Sequence, residues 1–231
     1  MPIITTETQD VGHDIGLRIV RRGDAELSQV EGLLTQAERD YFARDQIAPR
    51  RELRQLTRAA LREWLGELLH LRANTVPLAA LPSGRLELMP PASGWSFSVS
   101  TRGDLGLVVL GRADTGSLGV DVEKTASAEM AASLATPAIM EQERNQRDAL
   151  PPAERSVAAL RQWVRKEAVA KALGLGVGAF DAGLDLSRLP LSENPDWQSI
   201  VALRRACAVR DLAVAEGYIA AVALAARPAR P

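Results

Sequence analysis

Cysteine and histidine are scarce in this 231-residue chain, which has one cysteine, Cys207, and two histidines, His13 and His70. A single cysteine excludes an intramolecular disulfide and a multi-cysteine zinc site, so we expect Cys207 to be a small buried residue. Neither histidine lies in a pattern that is typical of a nucleophile and its general base. The sequence therefore gives no indication of cysteine- or histidine-based catalysis.

Excess charge and long apolar runs are also missing. The net charge is −1, so an anion site would need local clusters of lysine and arginine, and nothing global favours nucleic acid or a membrane as partner. The N-terminal residues lack the basic-then-apolar pattern of a secretory signal, and the apolar stretches are too short to span a bilayer. We expect a cytoplasmic protein with an ordinary globular core.

The first part of the chain predicts a short strand at residues 17–20, a turn at residues 22–24 and then two helices. Thr35 is a predicted helix N-cap, and Glu38 completes a capping box three residues later. Residues 50–71 predict an amphipathic helix, since apolar residues recur at helical spacing. Its predicted buried stripe consists of Leu53, Leu56, Ala60, Trp64 and Leu68.

Four arginines of this helix also recur every three or four residues and share a second face: Arg51, Arg54, Arg58 and Arg62. The simplest interpretation of such a row is a solvated surface. A phosphate site is the alternative, because guanidinium groups bind phosphate through paired hydrogen bonds.

The rest of the chain predicts loops, strands and a further helical stretch. Residues 74–94 predict a loop, and residues 95–100 and 105–110 predict a hairpin with a turn at residues 102–104. A strand at residues 118–123 precedes a helical stretch from residue 127 to 173, with breaks at Pro137 and at Pro151-Pro152. Gly174 is its predicted stop. Two strands follow, at residues 200–210 and 217–226, and the second faintly repeats residues 106–110.

Asp121 and Glu123 alternate with valines in the strand at residues 118–123, so their carboxylates project from the same face while Val120 and Val122 point into the core. Two adjacent carboxylates repel each other, and a hard divalent ion such as Mg²⁺ removes that cost. A strand end with two solvated acids explains the pattern equally well.

Glu167 and Lys171 lie four residues apart and therefore share a helical face, one turn after Trp163. The structural interpretation is a surface ion pair of a few tenths of a kcal/mol. The functional interpretation places Glu167 near Asp121 and Glu123, and places Lys171 near a phosphate.

The segment from Gly119 to Glu123, followed by Trp163, the Lys166-Glu167-Ala168 triplet and Lys171, resembles the signature of 4'-phosphopantetheinyl transferases of the surfactin-synthetase-activating, single-chain type. The resemblance implies an α+β fold, a pseudo-twofold duplication of two helix-plus-antiparallel-sheet halves with a cleft between them. It divides the chain into an N-terminal half, residues 1–113, and a C-terminal half with the metal site, residues 114–231.

The resemblance also implies an activity: transfer of the phosphopantetheine arm of coenzyme A to a serine of an acyl or peptidyl carrier protein, with release of adenosine 3',5'-bisphosphate. Asp121, Glu123 and Glu167 would hold Mg²⁺, with Mn²⁺ as a possible substitute, and Glu167 would help to deprotonate the serine. Lys171 would contact a phosphate. Such enzymes activate carriers of polyketide or nonribosomal peptide synthesis, and we expect a monomer.

Further residues would bind coenzyme A by the same resemblance: Arg54, Arg58, Arg62, Ser100, Thr101 and Lys166. Two positions depart from the family pattern. Thr101 stands where the family has a phosphate-binding histidine, and Gly84-Arg85-Leu86 replaces Gly-Lys-Pro. The alternative hypothesis is therefore a non-transferring or repurposed relative that binds a carrier protein or a coenzyme A thioester, or catalyses another step on it.

Overall fold

The computed structural model of the chain describes residue 4 and residues 7–81, 85–127, 140–175 and 184–227. The chain divides into two units, Met1–Ala113 and Asp114–Pro231. Across the described ranges, no helix has both the length and the apolar character needed to cross a bilayer. The predicted helix break at Pro137 and the first residue of Gly84-Arg85-Leu86 lie outside the described residues.

In its described residues, the first unit contains a four-stranded antiparallel sheet, a small hairpin and three α-helices. Its sheet has the order β1-β2-β6-β5, and β3 pairs with β4. The elements are β1 Thr8–Asp10, β2 Gly16–Arg21, α1 Leu27–Val30, α2 Gln36–Ala43, α3 Ala48–Leu69, β3 Leu78–Ala80, β4 Leu86–Leu88, β5 Trp95–Arg102 and β6 Leu105–Arg112.

Helix α3 provides most of the first unit's helical core. Its apolar residues pack on one side with Val20 and Phe42, and on the other with Val108 and Leu110 of β6. The predicted stripe is buried except for Leu68, which is 36% exposed. The buried face continues through Leu61 and Leu65 instead. A step of four residues is slightly more than one turn of 3.6 residues, so a row of residues at this spacing winds slowly around the helix and away from the core.

The second unit repeats this design. Its sheet has the order β7-β10-β9-β8, with antiparallel neighbours throughout. The elements are β7 Ser117–Lys124, α4 Glu141–Asp148, α5 Pro152–Leu173, β8 Gln198–Ala202, β9 Arg205–Leu212 and β10 Tyr218–Ala225.

Helix α5 covers one face of this sheet. Leu160, Val164 and Val169 are fully buried against it, and each such side chain contributes about 1.5–3 kcal/mol of burial free energy. Proline occupies the first turn, where the missing N–H costs nothing. Gly174 ends the helix in the left-handed conformation, as predicted.

Both units combine helices with an antiparallel sheet, which confirms a mixed α and β fold, and three of the four strands are arranged alike, β2-β6-β5 in the first unit and β7-β10-β9 in the second. In each, a strand leads to an eight-residue helix and then to a 22-residue helix, and the last strand lies at the centre of the sheet. The central strand is β6 in the first unit and β10 in the second. These are the two segments that show the faint sequence repeat.

Two predicted elements are wrong. Residues 74–94 contain the short hairpin of β3 and β4 and are not simply a loop. Residues 200–210 form two strands joined at Leu203 and Arg204, both with positive φ (50° and 63°). Neither residue is a typical turn former, so the sequence did not reveal the turn.

Candidate functional site

Helix α5 lies directly on strand β7 at Gly119. A Cβ atom at this position would lie 2.0 Å from the carbonyl oxygen of Ala168 and 2.5 Å from the amide nitrogen of Ala172. Both are backbone atoms of the helix, so only glycine permits this approach. The contact holds the last two turns of α5 over the next residues of β7.

Asp121 and Glu123 follow Gly119 on the same face of β7. Asp121 pairs with Ala221 of β10, and Ala221 packs with Ala168 in the core between sheet and helix. The carboxylates therefore share the face that α5 covers. Val120 and Val122 are buried, as predicted. They lie on the face of the sheet that points away from α5.

Lys171 bridges from the helix to the strand. Its Nζ donates to the Oδ1 atom of Asp121 at 2.7 Å and to the carbonyl oxygen of Val120 at 2.9 Å. The side chain of Asp121 is 10% exposed and that of Lys171 is 32% exposed. The ion pair therefore joins helix to strand and is more sheltered than a surface pair within one helix face.

Glu167 lies one turn before Lys171 and senses both strand carboxylates. Burial is the largest cause that raises the pKa of Glu167 above its ordinary value, and the negative charge of Asp121 raises it further. Lys171 acts in the opposite direction, and Glu123 again raises the pKa. Both strand carboxylates and the Lys171 ammonium group thus act electrostatically on Glu167.

The donor set suits a hard divalent ion, because Mg²⁺ and Mn²⁺ prefer carboxylate oxygens. In the described ranges, however, no three His, Cys, Asp or Glu side chains stand close enough together to hold a metal ion as they are. Lys171 supplies the cation beside Asp121 instead. The residues fit a metal in their chemistry, and their side chains would have to move to enclose one.

Lys166, which the sequence assigned to coenzyme A, lies apart from this group. Its Nζ is 2.6 Å from the Oε2 atom of Glu143, and both side chains are almost fully buried. Glu143 also accepts hydrogen bonds from the backbone N–H groups of Met140 and Leu186. Lys166 therefore holds α4 against α5, a position that does not suit a phosphate contact.

The first unit contains the same device. Glu38 completes the predicted capping box of α2 with Thr35, and its Oε2 accepts a 2.6 Å hydrogen bond from Arg62 of α3. Arg62 is 1% exposed and also donates to the carbonyl oxygens of Ala73 and Val76. Arg62, like Lys166, is therefore a buried structural cation, and its proposed contact with the nucleotide is not supported by its position.

The other two arginines proposed for coenzyme A are also paired. Arg58 donates to Glu38 at 2.7 Å, with its side chain 15% exposed. Arg54 donates to Asp45 at 3.1 Å and to the hydroxyl of Tyr41 at 3.0 Å, with its side chain 32% exposed. The prediction of a solvated arginine row is therefore wrong for Arg58 and Arg62, whereas Arg54 keeps partial access to solvent.

Ser100 and Thr101, the remaining proposed coenzyme A contacts, lie near the end of β5 and are partly exposed. Thr101 pairs with Gly106 of β6. A Cβ at Gly106 would lie 2.1 Å from the hydroxyl oxygen of Thr57 on α3, so the strand and helix touch closely here too.

Sequence reasoning missed two buried ion pairs of the second unit, Lys166 with Glu143 and Arg165 with Asp211. Arg165 donates two hydrogen bonds to Asp211, at 2.8 and 2.6 Å, across 46 positions of sequence. No local pattern signals such a contact. Lys166–Glu143 could have been found by internal comparison, because Glu38 and Arg62 recur at nearly the same interval in the first unit.

Comparison with known families identifies a similarity in the second unit. Residues 117–223 match the family model of the 4'-phosphopantetheinyl transferase superfamily. A comparison with curated proteins found no significant relative. The matched range lies within the second unit and contains β7, α5 and most of β10, so this part of the chain is similar to the superfamily, and the match supports a transferase. Members use coenzyme A as a substrate and typically need a divalent metal.

Proposed function

We propose that the protein transfers the 4'-phosphopantetheine arm of coenzyme A to a serine of an acyl or peptidyl carrier protein and releases adenosine 3',5'-bisphosphate. The observation that carries the proposal is the grouping of Asp121, Glu123, Glu167 and Lys171 within the range matched by the superfamily.

In this proposal Asp121, Glu123 and Glu167 hold Mg²⁺, or Mn²⁺ in its place. When bound, the metal supplies positive charge that neutralises the pyrophosphate and the leaving group. Lys171 adds a compact cation for a phosphate oxygen. Phosphoryl transfer depends mainly on positioning and charge neutralisation, which these four residues provide together.

Glu167 also helps to move the proton of the carrier serine, directly or through a water. The serine oxygen attacks the β-phosphorus, the bond from that phosphorus to the bridging oxygen breaks, and the leaving phosphate takes the electron pair. Glu167 lies in a half-buried position beside other carboxylates, which favours proton uptake. Its position on α5 lets it face the reacting atoms from the helix side.

For coenzyme A itself, we carry forward Arg54, Arg58, Ser100 and Thr101 as candidate contacts, since none of them is fully buried. The side chain of Arg54 is more exposed than that of Arg58, so we expect Arg54 to contribute more to coenzyme A binding. Lys166 and Arg62 are left out because burial and pairing commit their charges elsewhere.

A second function is favoured by the same pairing. If Arg58, Arg62 and Lys166 stay bound to their carboxylates and Thr101 replaces a histidine, coenzyme A loses several expected cationic contacts. The protein would then be a non-transferring relative that binds a carrier or a coenzyme A thioester.

The deciding experiment incubates the purified protein with Mg²⁺, coenzyme A and a panel of apo carrier domains, and weighs each carrier by intact-protein mass spectrometry. A phosphopantetheine-sized gain that disappears with chelator and in Glu167→Ala supports the transferase. Glu154→Ala, an exposed glutamate in the first turn of the same helix, is the matched control and should keep full activity. No gain on any carrier, with coenzyme A binding by calorimetry, would favour the second function.

A further inference from the structure

The ammonium group of Lys171 contacts Asp121, a carboxylate that the proposed function assigns to a metal ion. Its Nζ is 2.7 Å from the Asp121 Oδ1 atom and 2.9 Å from the Val120 carbonyl oxygen. Both acceptors belong to neighbouring residues of one strand. A compact nitrogen that contacts a carboxylate and an adjacent carbonyl satisfies the same kind of oxygen donors that a hard cation takes.

Three carboxylates and one ammonium group interact under α5. Asp121, Glu123 and Glu167 together carry three negative charges when ionised, and Lys171 carries one positive charge. Lys124, the other cation at this end of β7, points to the opposite face of the strand, with its Nζ 5.6 Å from the ring centre of Tyr218. The carboxylates on the face under α5 therefore offer the oxygen ligands that suit a divalent ion.

The first unit has the same ion pair with its charges exchanged. Arg18 of β2 donates to Glu67 of α3 at 2.9 Å, so the strand there provides the cation and the helix the acid. Arg18 also lies 4.5 Å from the centre of the Trp64 ring and donates to the Thr8 hydroxyl. That pair is anchored from three sides and matched one to one, which is the arrangement expected of a purely structural bridge.

The choice of lysine at 171 is also informative. The chain contains 28 lysines and arginines, and lysine occurs only at Lys124, Lys166 and Lys171. A guanidinium holds a carboxylate through two parallel bonds in a fixed fork, whereas an ammonium is a point charge on a flexible stem. Lysine can thus leave Asp121 more easily than arginine could, because it gives up no pair of hydrogen bonds with a fixed geometry.

We propose that Lys171 is a placeholder cation, which neutralises Asp121 until a divalent metal binds and then moves to a phosphate of the substrate. The proposal rests on the proposed function. Because the ammonium and the metal compete for Asp121, metal alone binds weakly. An anionic substrate that takes up the ammonium tightens metal binding, so the metal and the substrate favour each other's binding.

The test titrates Mn²⁺ into the full-length protein without coenzyme A and follows free Mn²⁺ by electron paramagnetic resonance. Lys171→Met should bind Mn²⁺ at least about tenfold more tightly than the wild type, given the strength of charge interactions at such distances. Lys171→Gln should tighten binding as well, which keeps the test valid if the methionine variant folds poorly. Lys171→Arg keeps the charge and should bind as weakly as the wild type.

Two controls separate the outcomes. Lys124→Met removes a nearby charge from the other face and should change the affinity by no more than about twofold under physiological screening. Asp121→Asn should remove binding. Unchanged or weaker Mn²⁺ binding in Lys171→Met and Lys171→Gln, with Asp121→Asn still abolishing it, overturns the placeholder and leaves the metal site standing. If no variant binds Mn²⁺ more tightly than Asp121→Asn, both the placeholder and the proposed metal site are wrong.

Discussion

Gly119→Ala tests whether the contact between β7 and α5 sets the geometry of the candidate site. The new methyl group would lie 2.0 Å from the carbonyl oxygen of Ala168 and 2.5 Å from the amide nitrogen of Ala172. Ordinary carbon contacts need about 3.5–4.0 Å, and neither helix backbone atom can turn aside as a side chain could. The helix must therefore move away from the strand by more than about 1 Å.

Overpacking of this kind typically costs about 1–3 kcal/mol, and occasionally more. Replacing a strand glycine by alanine returns about 0.5–1 kcal/mol of backbone entropy, so we expect a net loss of roughly 1–2 kcal/mol in the free energy of unfolding. The displacement also separates Lys171 from Asp121. A misplacement of about 1 Å can lower a rate about a hundredfold, so transfer should fall more than stability alone explains.

The assay combines chemical denaturation followed by circular dichroism with carrier modification followed by mass. Gly32→Ala is the matched control, because no atom lies within 4 Å of a Cβ at that position. It should be neutral or slightly stabilising, since alanine restricts the unfolded chain. A Gly119→Ala protein with unchanged stability and unchanged transfer would refute the idea that this contact positions Glu167 and Lys171.

Three further predictions address the buried ions and the thiol. Lys166→Met leaves Glu143 buried without its cation and should lower the free energy of unfolding by about 3–5 kcal/mol in denaturant titration; equal stability would contradict a buried structural pair. Burial by itself raises the pKa of Glu38, yet hydrogen bonds from Arg62, the Thr35 backbone and Arg58 outweigh it and lower the pKa. Glu38 should therefore stabilise the fold at pH values above the unfolded-state pKa and lose this contribution as the pH falls through the folded-state value, so Glu38→Gln should flatten the acid limb of the stability–pH curve. Burial raises the pKa of Cys207, so its thiol should react with Ellman's reagent slowly in the native state and rapidly in denaturant.

Local chemistry made part of the fold predictable. The capping box of Thr35 and Glu38, the hairpin of β5 and β6 and the glycine stop at Gly174 all depend on residues close in sequence. Each is specified by a side chain that meets a backbone group within a few positions. The hairpin of β8 and β9 escaped prediction because Leu203 and Arg204 carry the positive φ angles that glycine or asparagine usually supplies.

The candidate site was predictable only in its outline. Alternation in β7 placed Asp121 and Glu123 on one face, and helical spacing placed Glu167 with Lys171. Periodicity does not show which face of the sheet a helix covers. The pairing of Lys171 with Asp121 is therefore visible only in the structure, where α5 packs closely on β7 at Gly119. The destination of a long cation depends on three-dimensional neighbours, and for that reason Lys166 and Arg62 were assigned to a ligand when they hold buried glutamates.

The duplication separates the structural charges of the second unit from those that remain for function. A pair between a glutamate in the first turn of an eight-residue helix and a buried cation occurs in both units, as Glu38 with Arg62 and as Glu143 with Lys166, so it belongs to the architecture. The pair of Arg18 with Glu67 in the first unit balances its charges, whereas the corresponding place in the second unit adds further carboxylates around Lys171. Neighbouring carboxylates repel one another, whereas the first unit has an ion pair of one arginine with one glutamate at the corresponding place. This group of carboxylates is therefore the feature of the second unit that fits a cationic ligand.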